Sequence, residues 1–516
     1  MSDLARPSGR PPGGGAALAR PSLRYRSAAG RWVIAATVLG SGMASLDGTV
    51  VGIALPAIGK DFDASFSSLQ WTINAYTLTL AGFLLLGGSL GDHYGRRRVF
   101  TVGVVWFGAA SLLCAVAPDV EMLILGRALT GVGAALVTPG SLAILEASFA
   151  PDDQSAAVGA WSGLGGVASA LGPFLGGWLI AAASWRFIFL LNLPLAAVTL
   201  WISARHVPES RDPGVQGQAL DLRGSALIAA SLAGITYALT EGPKGGWGSP
   251  AVVALGVLGV VALIAFLWVE RSSRHPMVPL SMFRSVPFSA MNLVTFLVYA
   301  ALGAAFFLIP IQLQISLGYT PLEAGAALIP LTVLSLMFSA RAGRLAHRIG
   351  PRIPVTLGAL VSAIGLLLIA GIDSGSTFLG GVLPGVIVLG IGLSLAVAPL
   401  TSTVLEAGGV EHAGISSAIN VDIARIAGLL AVALIPAAAG ISGGNYESAA
   451  DLTDGFRTGL LICAGLSALG SLLAFVTVRR AAPPPAGVEP APVAFCPVTG
   501  PPLGGKPAGS GQPATA

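Results

Sequence analysis

Fourteen long apolar segments constrain what this chain can fold into more than any other feature of its sequence. A helix needs about 20 consecutive, mostly apolar residues to cross a lipid bilayer, and each segment is close to that length. The segments are continuous and do not alternate in hydropathy, so they predict membrane-spanning helices and not the strands of a membrane barrel. The predicted spans cover residues 32–56, 69–90, 99–118, 122–145, 157–181, 187–204, 224–242, 251–269, 287–309, 325–342, 354–372, 380–402, 414–436 and 457–478.

The amino-acid composition supports a protein that is surrounded by lipid. Charged residues make up 10% of the 516 residues and hydrophobic residues 54%, whereas a soluble domain carries about 25% charged residues. The chain therefore cannot form the charged exterior of a soluble protein. Its three cysteines, Cys114, Cys463 and Cys496, are too few and too scattered for a disulfide framework or a metal site. We expect neither a metal nor a cofactor.

Basic residues are concentrated on one side of the predicted membrane. When the N-terminus is placed in the cytoplasm, most of the 28 Lys and Arg residues fall in cytoplasmic loops and tails. Because Lys and Arg stay preferentially on that side, we predict a multi-pass protein of the cell membrane with both termini in the cytoplasm. This distribution accounts for the formal net charge of +4 without a nucleic-acid partner. No cleavable signal peptide is predicted.

A loop pattern that occurs twice divides the chain into two halves. Residues 88–97 lie between the second and third spans, residues 343–352 lie between the tenth and eleventh, and both fit G-x-L-x-x-x-x-G-x-R. Two six-helix halves in parallel repeat, with a binding site at the midplane between them, form one large class of transporters. We therefore predict an all-α integral membrane protein made of two six-helix bundles and two inserted helices.

The repeat also sets the predicted domain boundaries. Both tails are rich in Pro, Gly and Ala and are predicted to be disordered. In chain order, the predicted parts are a tail at 1–31, the N-terminal bundle at 32–204, a cytoplasmic linker at 205–223, the inserted helices at 224–269, the C-terminal bundle at 287–478 and a tail at 481–516.

Five short motifs follow one another at the predicted helices. They are residues 46–56 in the first helix, the loop at 88–98, residues 123–135 in the fourth helix, residues 172–177 in the fifth and residues 185–194 at the junction of the fifth and sixth. In this order they resemble the motifs of the major facilitator superfamily, and within it those of the fourteen-helix drug:proton antiporters. The resemblance implies the major facilitator fold, alternating access and the export of drugs, antibiotics or metabolites in exchange for protons. We expect the chain to act as a monomer.

The chain departs from the family pattern at two positions. Gly52 stands where the motif of the first helix usually has Asn, so no polar contact is expected from that position. His347 in the second loop stands where the first loop has Asp92, so we expect the second half to lack an equivalent ionic lock.

Four charged residues lie well away from the ends of predicted spans, where an ionised side chain costs roughly 2.5–3.5 kcal/mol on insertion scales. Asp47 is predicted to carry a proton or to meet a cationic substrate, and a permanently paired structural charge is the alternative. Arg127 acts as a fixed positive charge. The resemblance implies that it sets the state of a nearby carboxylate, for which Asp47 is a candidate. Asp422 and Arg425 are three residues apart and share one helix face, as either a structural ion pair or a second coupling site.

The loop between the second and third helices is predicted to act as a gate. The resemblance implies that Asp92 and an arginine latch the two halves together in the outward-facing state. Exposed ion pairs contribute about 0–1 kcal/mol, which suits a latch that opens in every cycle. A solvated charge run would explain the arginines alone but not the repeated pattern. The predicted gating residues are Gly88, Asp92, Gly95, Arg96 and Arg97.

Closely spaced glycines in the fifth helix predict close helix packing. The resemblance associates this motif, Gly172, Pro173, Gly176 and Gly177, with antiporters. Glycine lets neighbouring helices approach closely, and Pro173 removes one helix hydrogen bond. The motif therefore predicts either a pliable seam between the halves or ordinary tight packing.

Aromatic and neutral polar residues of two helices are candidates for a substrate cavity. Those of the ninth helix follow i, i+4, i+7 spacing and share one face. All of them could equally face lipid or another helix. The candidates are Trp71, Asn74 and Tyr76 in the second helix and Asn292, Phe296 and Tyr299 in the ninth.

Motifs of other mechanisms are missing from the sequence. It has no G-x-x-x-x-G-K-[ST] phosphate loop, which argues against an ATP-driven pump. It also has no HExxH pair and no cysteine–histidine cluster, and the lack of a catalytic constellation within the spans argues against a membrane-embedded enzyme acting on lipids. We therefore expect no enzymatic activity. The alternatives that stay open are a dedicated exporter of a self-made metabolite or lipid, an importer of the same fold, and a channel or non-transporting receptor. The direction and gradient dependence of flux would separate them.

Overall fold

The computed structural model describes residues 23–212, 220–273, 276–408, 413–441 and 449–478. In this part of the chain, fourteen helices are long and apolar enough to cross a membrane, which confirms the predicted number and the all-α class. The predicted C-terminal tail, most of the predicted N-terminal tail and the middle of the predicted linker lie outside the described residues.

The helices are numbered in chain order as membrane spans, and three of the spans are interrupted. In sequence they are α1 (Ala28–Phe62), α2 (Phe66–Tyr94), α3 (Arg96–Ala115), α4 (Val120–Ser148), α5 (Pro151–Ala182), α6 (Arg186–Leu190 and Asn192–His206), α7 (Leu222–Gly245), α8 (Pro250–Ser272), α9 (Val286–Ile315), α10 (Pro321–Ala327 and Ile329–Ile349), α11 (Arg352–Ala370), α12 (a π-helical turn, Phe378–Val382, and Leu383–Gly408), α13 (Ala413–Ala438) and α14 (Ala449–Thr477).

Capping interactions, and not the ends of the apolar runs, set where helices begin and end. The apolar run of α1 covers residues 32–56, but the helix begins at Ala28, where the Ser27 hydroxyl accepts a hydrogen bond from the Gly30 amide at 3.0 Å. It ends before Asp63, whose backbone is left-handed with φ 49°. Unpaired backbone groups at a helix end need a cap or water, so the helix continues past its apolar run to such a position.

Residues 23–27 differ from the prediction of a disordered tail. The Leu23 amide donates to the Ser148 carbonyl at 2.8 Å, and the Ala150 amide donates to the Leu23 carbonyl at 3.1 Å. The Tyr25 amide donates to the Asp153 carboxylate at 3.0 Å. Backbone pairing of this kind leaves no signal in composition, which is why composition predicts a longer tail.

The two halves repeat one pattern of helix contacts. In the first half, α1 packs against α5 and α6, and α4 packs against α2 and α3. The helices eight positions later make the corresponding contacts, because α9 packs against α13 and α14, and α12 packs against α10 and α11. The predicted build of two six-helix bundles is therefore present in the packing.

The two inserted helices form a hairpin at the side of the bundles. α7 packs against α2 and α13, one helix from each half, and α8 packs against α7. The hairpin is tight, because a side chain at Gly234 on α7 would overlap the backbone of Leu255 and Gly259 on α8. The opposite side of α8 exposes apolar residues, among them Val257 and Ile264.

With an even number of spans, α1 begins and α14 ends on the same side of the helix array. We call this side the termini face and the opposite side the far face. The termini face also carries the connections after α2, α4, α6 and α8, and the far face carries those after α1, α3 and α5.

Candidate functional site

A fully buried ion pair joins two helices of the first half. Oδ2 of Asp47 on α1 and Nη1 of Arg127 on α4 lie 2.5 Å apart, and the two side chains are 0% and 1% exposed. Removing one partner of such a pair strongly destabilises a protein, because the other charge is then buried without compensation. The structure therefore brings together the two charges that the sequence identifies separately.

An asparagine that the sequence analysis assigned no role completes the surroundings of Asp47. The side-chain amide of Asn192 on α6 donates to Oδ1 of Asp47 at 3.0 Å. It also lies 3.2 Å from the hydroxyl of Ser111 on α3. The only sequence signal for this residue is its place in the motif at 185–194, where it is the single amide in an apolar run.

The guanidinium of Arg127 is held by α2 as well as by Asp47. Its Nε donates to the Thr72 carbonyl at 3.1 Å, and the group lies over the Tyr76 ring, 4.5 Å from the ring centroid. A cation over an aromatic face is attracted by the negative face of the ring. α1, α2, α4 and α6 thus meet at one buried polar centre.

Asp422 and Arg425 on α13 do not form the ion pair that their spacing allows. Neither residue takes part in an ion pair with another described residue. Oδ1 of Asp422 and Nε of Arg425 are buried without a hydrogen-bond partner. The Arg425 side chain lies within electrostatic range of Asp422, and also of Tyr76 on α2 and Tyr299 on α9. Because arginine is long, its charge reaches away from its own helix and toward helices of both halves.

Two of the three cavity candidates on α2 hydrogen-bond to neighbouring helices, and the third is buried without a partner. Trp71 donates its indole N–H to the Glu241 carboxylate on α7 at 2.9 Å. Tyr76 is buried and donates its hydroxyl to the Ala44 carbonyl at 2.9 Å. Asn74 is fully buried, and neither its nitrogen nor its oxygen has a hydrogen-bond partner. Tyr76 and Asn74 therefore do not reach an open cavity.

The three cavity candidates on α9 divide into a buried residue and two that are half-buried. Phe296 and Tyr299 are half-buried. Asn292 is buried, and its oxygen accepts a hydrogen bond from the side chain of Asn420 on α13 at 3.1 Å. Asn292 therefore fastens α9 to α13. Helical periodicity cannot separate this role from cavity lining, because both place the residue on the inward face.

The predicted gating loop forms its ion pairs within the first half. Nη2 of Arg96 lies 2.8 Å from Oδ1 of Asp92, and Nη1 of Arg96 donates to the Ala143 carbonyl on α4 at 3.2 Å. Nε of Arg97 lies 3.8 Å from Oε2 of Glu209, in the segment that follows α6. In this conformation, Asp92 is thus paired with its own loop and not with the second half.

The two loop glycines differ in their surroundings, because Gly95 is crowded and Gly88 has room for a side-chain carbon. Gly95 has φ +116°, a conformation that favours glycine, and a side-chain carbon there would lie 2.8 Å from Oε1 of Glu209. A side-chain carbon at Gly88 would lie 3.5 Å from Pro139 on α4. Glu209, which the sequence analysis did not identify, therefore organises the loop together with Arg97, whose amide donates to it at 3.1 Å.

Two glycines of the α5 motif pack against α1. A side chain at Gly172 would overlap the Thr49 hydroxyl, and one at Gly176 would overlap Val50. The Thr49 hydroxyl also lies 3.2 Å from the Ser169 carbonyl on α5. This side of the motif is a close contact within the first half.

The rest of the α5 motif contacts the second half near the far face. A side chain at Gly177 would overlap the backbone of Pro321 at the start of α10. In the reverse direction, a side chain at Gly325 on α10 would overlap the carbonyl of Pro173. Backbone is in contact with backbone here, which only residues without a side chain permit.

Three further contacts close the far face between the halves. Nε2 of Gln314 on α9 donates to the Ile53 carbonyl on α1 at 3.0 Å. Nε2 of Gln70 on α2 donates to the Val432 carbonyl on α13 at 2.7 Å. The rings of Phe66 and Phe307 meet edge to face with their centroids 5.6 Å apart.

Toward the termini face, the same side of α5 loses contact with the second half. Gly159, Gly163 and Gly166 share one helix face by i, i+4, i+7 spacing. A side-chain carbon at Gly166 would meet Leu336 on α10 at 3.7 Å, whereas one at Gly163 or Gly159 would meet nothing within 4 Å. α5 and α10, one helix from each half, therefore separate from Gly166 toward the termini face, and we call the space between them the termini-face cleft.

The sequence is similar to a known protein family and to several of its members. Residues 37–432 match the family model of the Major Facilitator Superfamily. The puromycin resistance protein pur8 of Streptomyces alboniger is 35% identical over 446 residues, which cover 84% of this chain and 88% of that protein. The multidrug resistance protein Stp of Mycobacterium tuberculosis is 34% identical over 385 residues, covering 74% and 71%. The methylenomycin A resistance protein of Bacillus subtilis is 34% identical over 409 residues, covering 79% and 87%.

Solved structures share the fold at low sequence identity. A D-xylose–proton symporter superimposes with a TM-score of 0.62 at 17% identity, and the match covers 87% of this chain and 98% of that one. A bacterial homologue of the human lysosomal transporter Spinster, in an inward-facing conformation, gives a TM-score of 0.62 at 14% identity, with 89% and 100% covered. At such identities the likeness speaks for the fold alone.

Proposed function

The chain belongs to the major facilitator superfamily of membrane transporters, and we propose that it exports small organic molecules from the cytoplasm in exchange for protons. Relatives named for resistance to puromycin, to methylenomycin A and to several drugs support export as the direction. We propose a monomer in the cell membrane, because the buried ion pair and the termini-face cleft are each formed within one chain.

The Asp47–Arg127 pair is the observation that carries proton coupling. Arg127 cannot lose its proton under physiological conditions, so Asp47 is the partner whose charge can change. Protonation would neutralise Asp47 and release it from Arg127, and deprotonation would restore the pair. Because the Asp47 side chain is 0% exposed in this conformation, a proton can reach or leave it only when α1 and α4 rearrange. Proton exchange and helix movement are thereby linked.

The difference between the two ends of the interface between the halves supports alternating access. With both termini in the cytoplasm, the termini-face cleft opens inward, and substrate would enter there. Release would require the far-face contacts of Gly177, Gln70 and Gln314 to separate while the cleft closes. The Asp92–Arg96 pair is partly exposed, at 32% and 18%, and such pairs contribute only about 0–1 kcal/mol. Asp92 is thus free to exchange this partner for one in the second half when the cleft closes.

Substrate contacts are assigned to the groups between the halves that lack a fixed partner. Asp422 and Arg425 offer one charge of each sign without an ion pair, and the half-buried rings of Phe296 and Tyr299 lie on the adjoining helix α9. Ligand cavities combine apolar and aromatic walls with a few polar groups of this kind. The cavity proposed here therefore differs from the sequence-based one, because Tyr76 and Asn292 have structural partners.

The test is substrate-induced proton movement in inverted membrane vesicles that contain the full chain. A pH-sensitive dye reports the gradient while puromycin, methylenomycin A and a panel of cationic drugs are added in turn. Asp47→Asn is compared with Asp454→Asn, which removes the same charge from an exposed position at the far-face end of α14. We expect wild type and Asp454→Asn to dissipate the gradient with at least one compound, and Asp47→Asn to lose the response.

The other outcomes separate parts of the proposal. A response that persists in Asp47→Asn keeps antiport but moves the proton site to Asp422 or another group. Uptake into the cell in place of export would establish an importer. If a folded, inserted wild type responds to no compound, proton-coupled multidrug export is contradicted.

Substrate breadth is decided by the same panel. Two of the relatives are named after single antibiotics and one after multidrug resistance, so both a dedicated and a broad exporter have precedents. A response confined to one chemical class establishes a dedicated exporter, and responses across unrelated cations establish a multidrug exporter.

A further inference from the structure

A cavity outside the transport pathway lies at the termini face, where α8 ends and the chain turns toward α9. It has a volume of about 410 Å³, and its lining includes Glu270 and Arg271 at the end of α8 and Arg284 just before α9. Pro279, Leu280 and Ser281 form the opposite wall. The cavity thus combines one acidic and two basic side chains at the level where a membrane helix leaves the bilayer.

Glu270 in this cavity is buried and only partly satisfied. The residue is 2% exposed. The Val278 amide donates to its Oε2 at 3.2 Å, and the Met277 amide lies beside the same carboxylate. Oε1 accepts no hydrogen bond. A buried carboxylate oxygen without a donor is unfavourable by about 1–3 kcal/mol or more. Because Glu270 lines the cavity, a hydrogen-bond donor that reaches the shielded Oε1 from there would relieve this cost.

A second acidic group strengthens the preference for a positive donor. Asp221, immediately before α7, caps that helix through Oδ1, which accepts from the Gly224 amide at 2.8 Å. Its Oδ2 is buried without a partner, and the group lies within electrostatic range of Glu270. Two carboxylates with unused oxygens favour a cationic donor over a neutral one, because the cation also relieves their mutual repulsion.

The two arginines of the cavity provide the opposite chemistry. Arg271 and Arg284 are exposed and form none of the ion pairs found among the described residues. A guanidinium binds phosphate oxygens through charge-assisted hydrogen bonds. The ligand that fits all three side chains therefore carries a phosphate and an ammonium within one short group.

The last turns of α8, next to the cavity, expose apolar side chains that acyl chains can contact. Ile264, Leu267 and Trp268 on the last turns of α8 are 62%, 44% and 69% exposed. Tryptophan is enriched at the level of lipid headgroups. A headgroup in the cavity would leave its two chains lying along this apolar side of the helix.

We propose that the cavity binds the headgroup of an aminophospholipid such as phosphatidylethanolamine. On binding, the shielded carboxylate of Glu270 turns toward the cavity and its Oε1 accepts from the primary ammonium, with Asp221 behind it, and the phosphate lies between Arg271 and Arg284. A choline headgroup is rejected because its quaternary nitrogen has no N–H to donate, and a glycerol headgroup because it has no positive charge. The bound lipid fastens the hairpin α7–α8 to the start of α9, independently of which substrate is exported.

The test measures lipid binding by the purified full chain and does not depend on transport. The protein in detergent is titrated with dioleoyl phosphatidylethanolamine, dioleoyl phosphatidylcholine and dioleoyl phosphatidylglycerol, and bound lipids are counted by native mass spectrometry. We expect phosphatidylethanolamine to bind about tenfold more tightly than phosphatidylcholine. Glu270→Gln should abolish that preference, and Glu121→Gln, an exposed acid at the far-face end of α4, should preserve it.

Further measurements test the role of the arginines and distinguish a lipid from a soluble phosphate compound as the ligand. Arg284→Ala should weaken all three lipids, because each carries a phosphate. Soluble phosphoethanolamine should compete only weakly, since it lacks acyl chains; if it competes as well as the lipid, the ligand is a soluble phosphate compound and the lipid proposal fails. Equal binding of all three lipids to wild type, or a preference that survives Glu270→Gln, also overturns it. If Glu270→Gln does not fold, Asp221→Asn tests the same preference.

Discussion

Asp47 and Arg127 carry opposite charges that neutralise each other in a site without access to water. In an environment of low polarity, either charge alone is strongly unfavourable. We predict that Asp47→Asn and Arg127→Gln will each destabilise the protein by about 3–5 kcal/mol. The double variant should be more stable than either single variant, because it buries no charge. The measurement is thermal unfolding of the purified chain in detergent.

The double variant separates stability from coupling. It should regain much of the unfolding temperature and yet show no substrate-induced proton movement, because no group remains to carry the proton. Asp454→Asn, at an exposed position, should leave the unfolding temperature within about 1 °C of wild type, since surface substitutions away from special features change stability little. Strict additivity of the two single effects would contradict direct pairing.

At the scale of single residues, the sequence identifies charges but not their partners. Asp47 and Arg127 stand out because charges are rare in apolar runs, yet 80 residues separate them, and only tertiary packing makes them neighbours. The spacing of Asp422 and Arg425 permits an ion pair that the structure does not form, because the arginine reaches other helices. Asn192 shows the converse case, since a neutral amide costs too little in a membrane helix to be conspicuous.

At the scale of helices, we predict different effects for substitution of two α5 glycines, one at the far face and one in the termini-face cleft. Gly177→Val should prevent far-face closure, because the side chain would overlap the backbone at the start of α10. We expect transport to fall at least tenfold, equivalent to about 1.4 kcal/mol, and a cysteine at position 314 to become accessible to a membrane-impermeant maleimide. Gly163→Val is the matched control, because its position faces open space in this conformation.

The two variants also discriminate between explanations of the motif. If Gly177→Val leaves position 314 protected and transport intact, the motif is ordinary packing and not a seam between the halves. Should Gly163→Val expose position 314 as strongly as Gly177→Val does, the effect would be a general disturbance of α5.

The conformation of the gating loop requires glycine at position 95, next to the Glu209 carboxylate. Gly95→Ala combines a backbone conformation that alanine rarely adopts with a contact of 2.8 Å to Oε1 of Glu209. Gly246→Ala shares the positive φ, here +84°, but meets nothing within 4 Å. We predict that Gly95→Ala destabilises the protein by about 1 kcal/mol more than Gly246→Ala, because it also displaces Glu209 from the Arg97 amide. Thermal unfolding of the two variants measures the difference, and equal effects would show that Glu209 moves aside freely.

Helix number and type could be predicted from the sequence, because an apolar run of bilayer length has few alternatives in lipid. The ends could not, since they depend on caps such as Ser27 and on the pairing of Leu23 with the segment after α4. The break in α10 at Leu328 is also absent from the pattern, because the apolar run continues through it.

At the scale of the whole molecule, the conformation is tested by water access on the two sides of the interface. In a chain with Cys114, Cys463 and Cys496 replaced, we predict that a cysteine at Gly163 reacts at least tenfold faster with the maleimide than one at Gln314. Val257→Cys, on the lipid-exposed side of α8, controls for exposure to lipid instead of water and should not react. Substrate and a proton gradient should lower the rate at position 163 and raise it at 314.

Equal rates at positions 163 and 314 would contradict a cleft that is open on one face only. The division into halves could be predicted from the repeated loop, but the open face could not. Both end states of a transporter are encoded by the same residues, and their free energies differ by only a few kcal/mol. The pattern of apolar and charged residues in the sequence therefore does not reveal which of the two states has the lower free energy.

The hairpin α7–α8 packs against one helix of each half, α2 and α13, but the two contacts differ in kind. On α2, Trp71 donates to Glu241, and Ala229 lies against Gly82. Toward α13, the hairpin presents Leu232 to Leu429, an apolar contact without direction that can slide. In the proposed alternating access, the half that is hydrogen-bonded to α7 would therefore move two additional lipid-covered helices through the bilayer at every turnover. Under that proposal, hydrodynamic drag would contribute to the transport rate, so a stiffer membrane would slow transport without any change in the sequence.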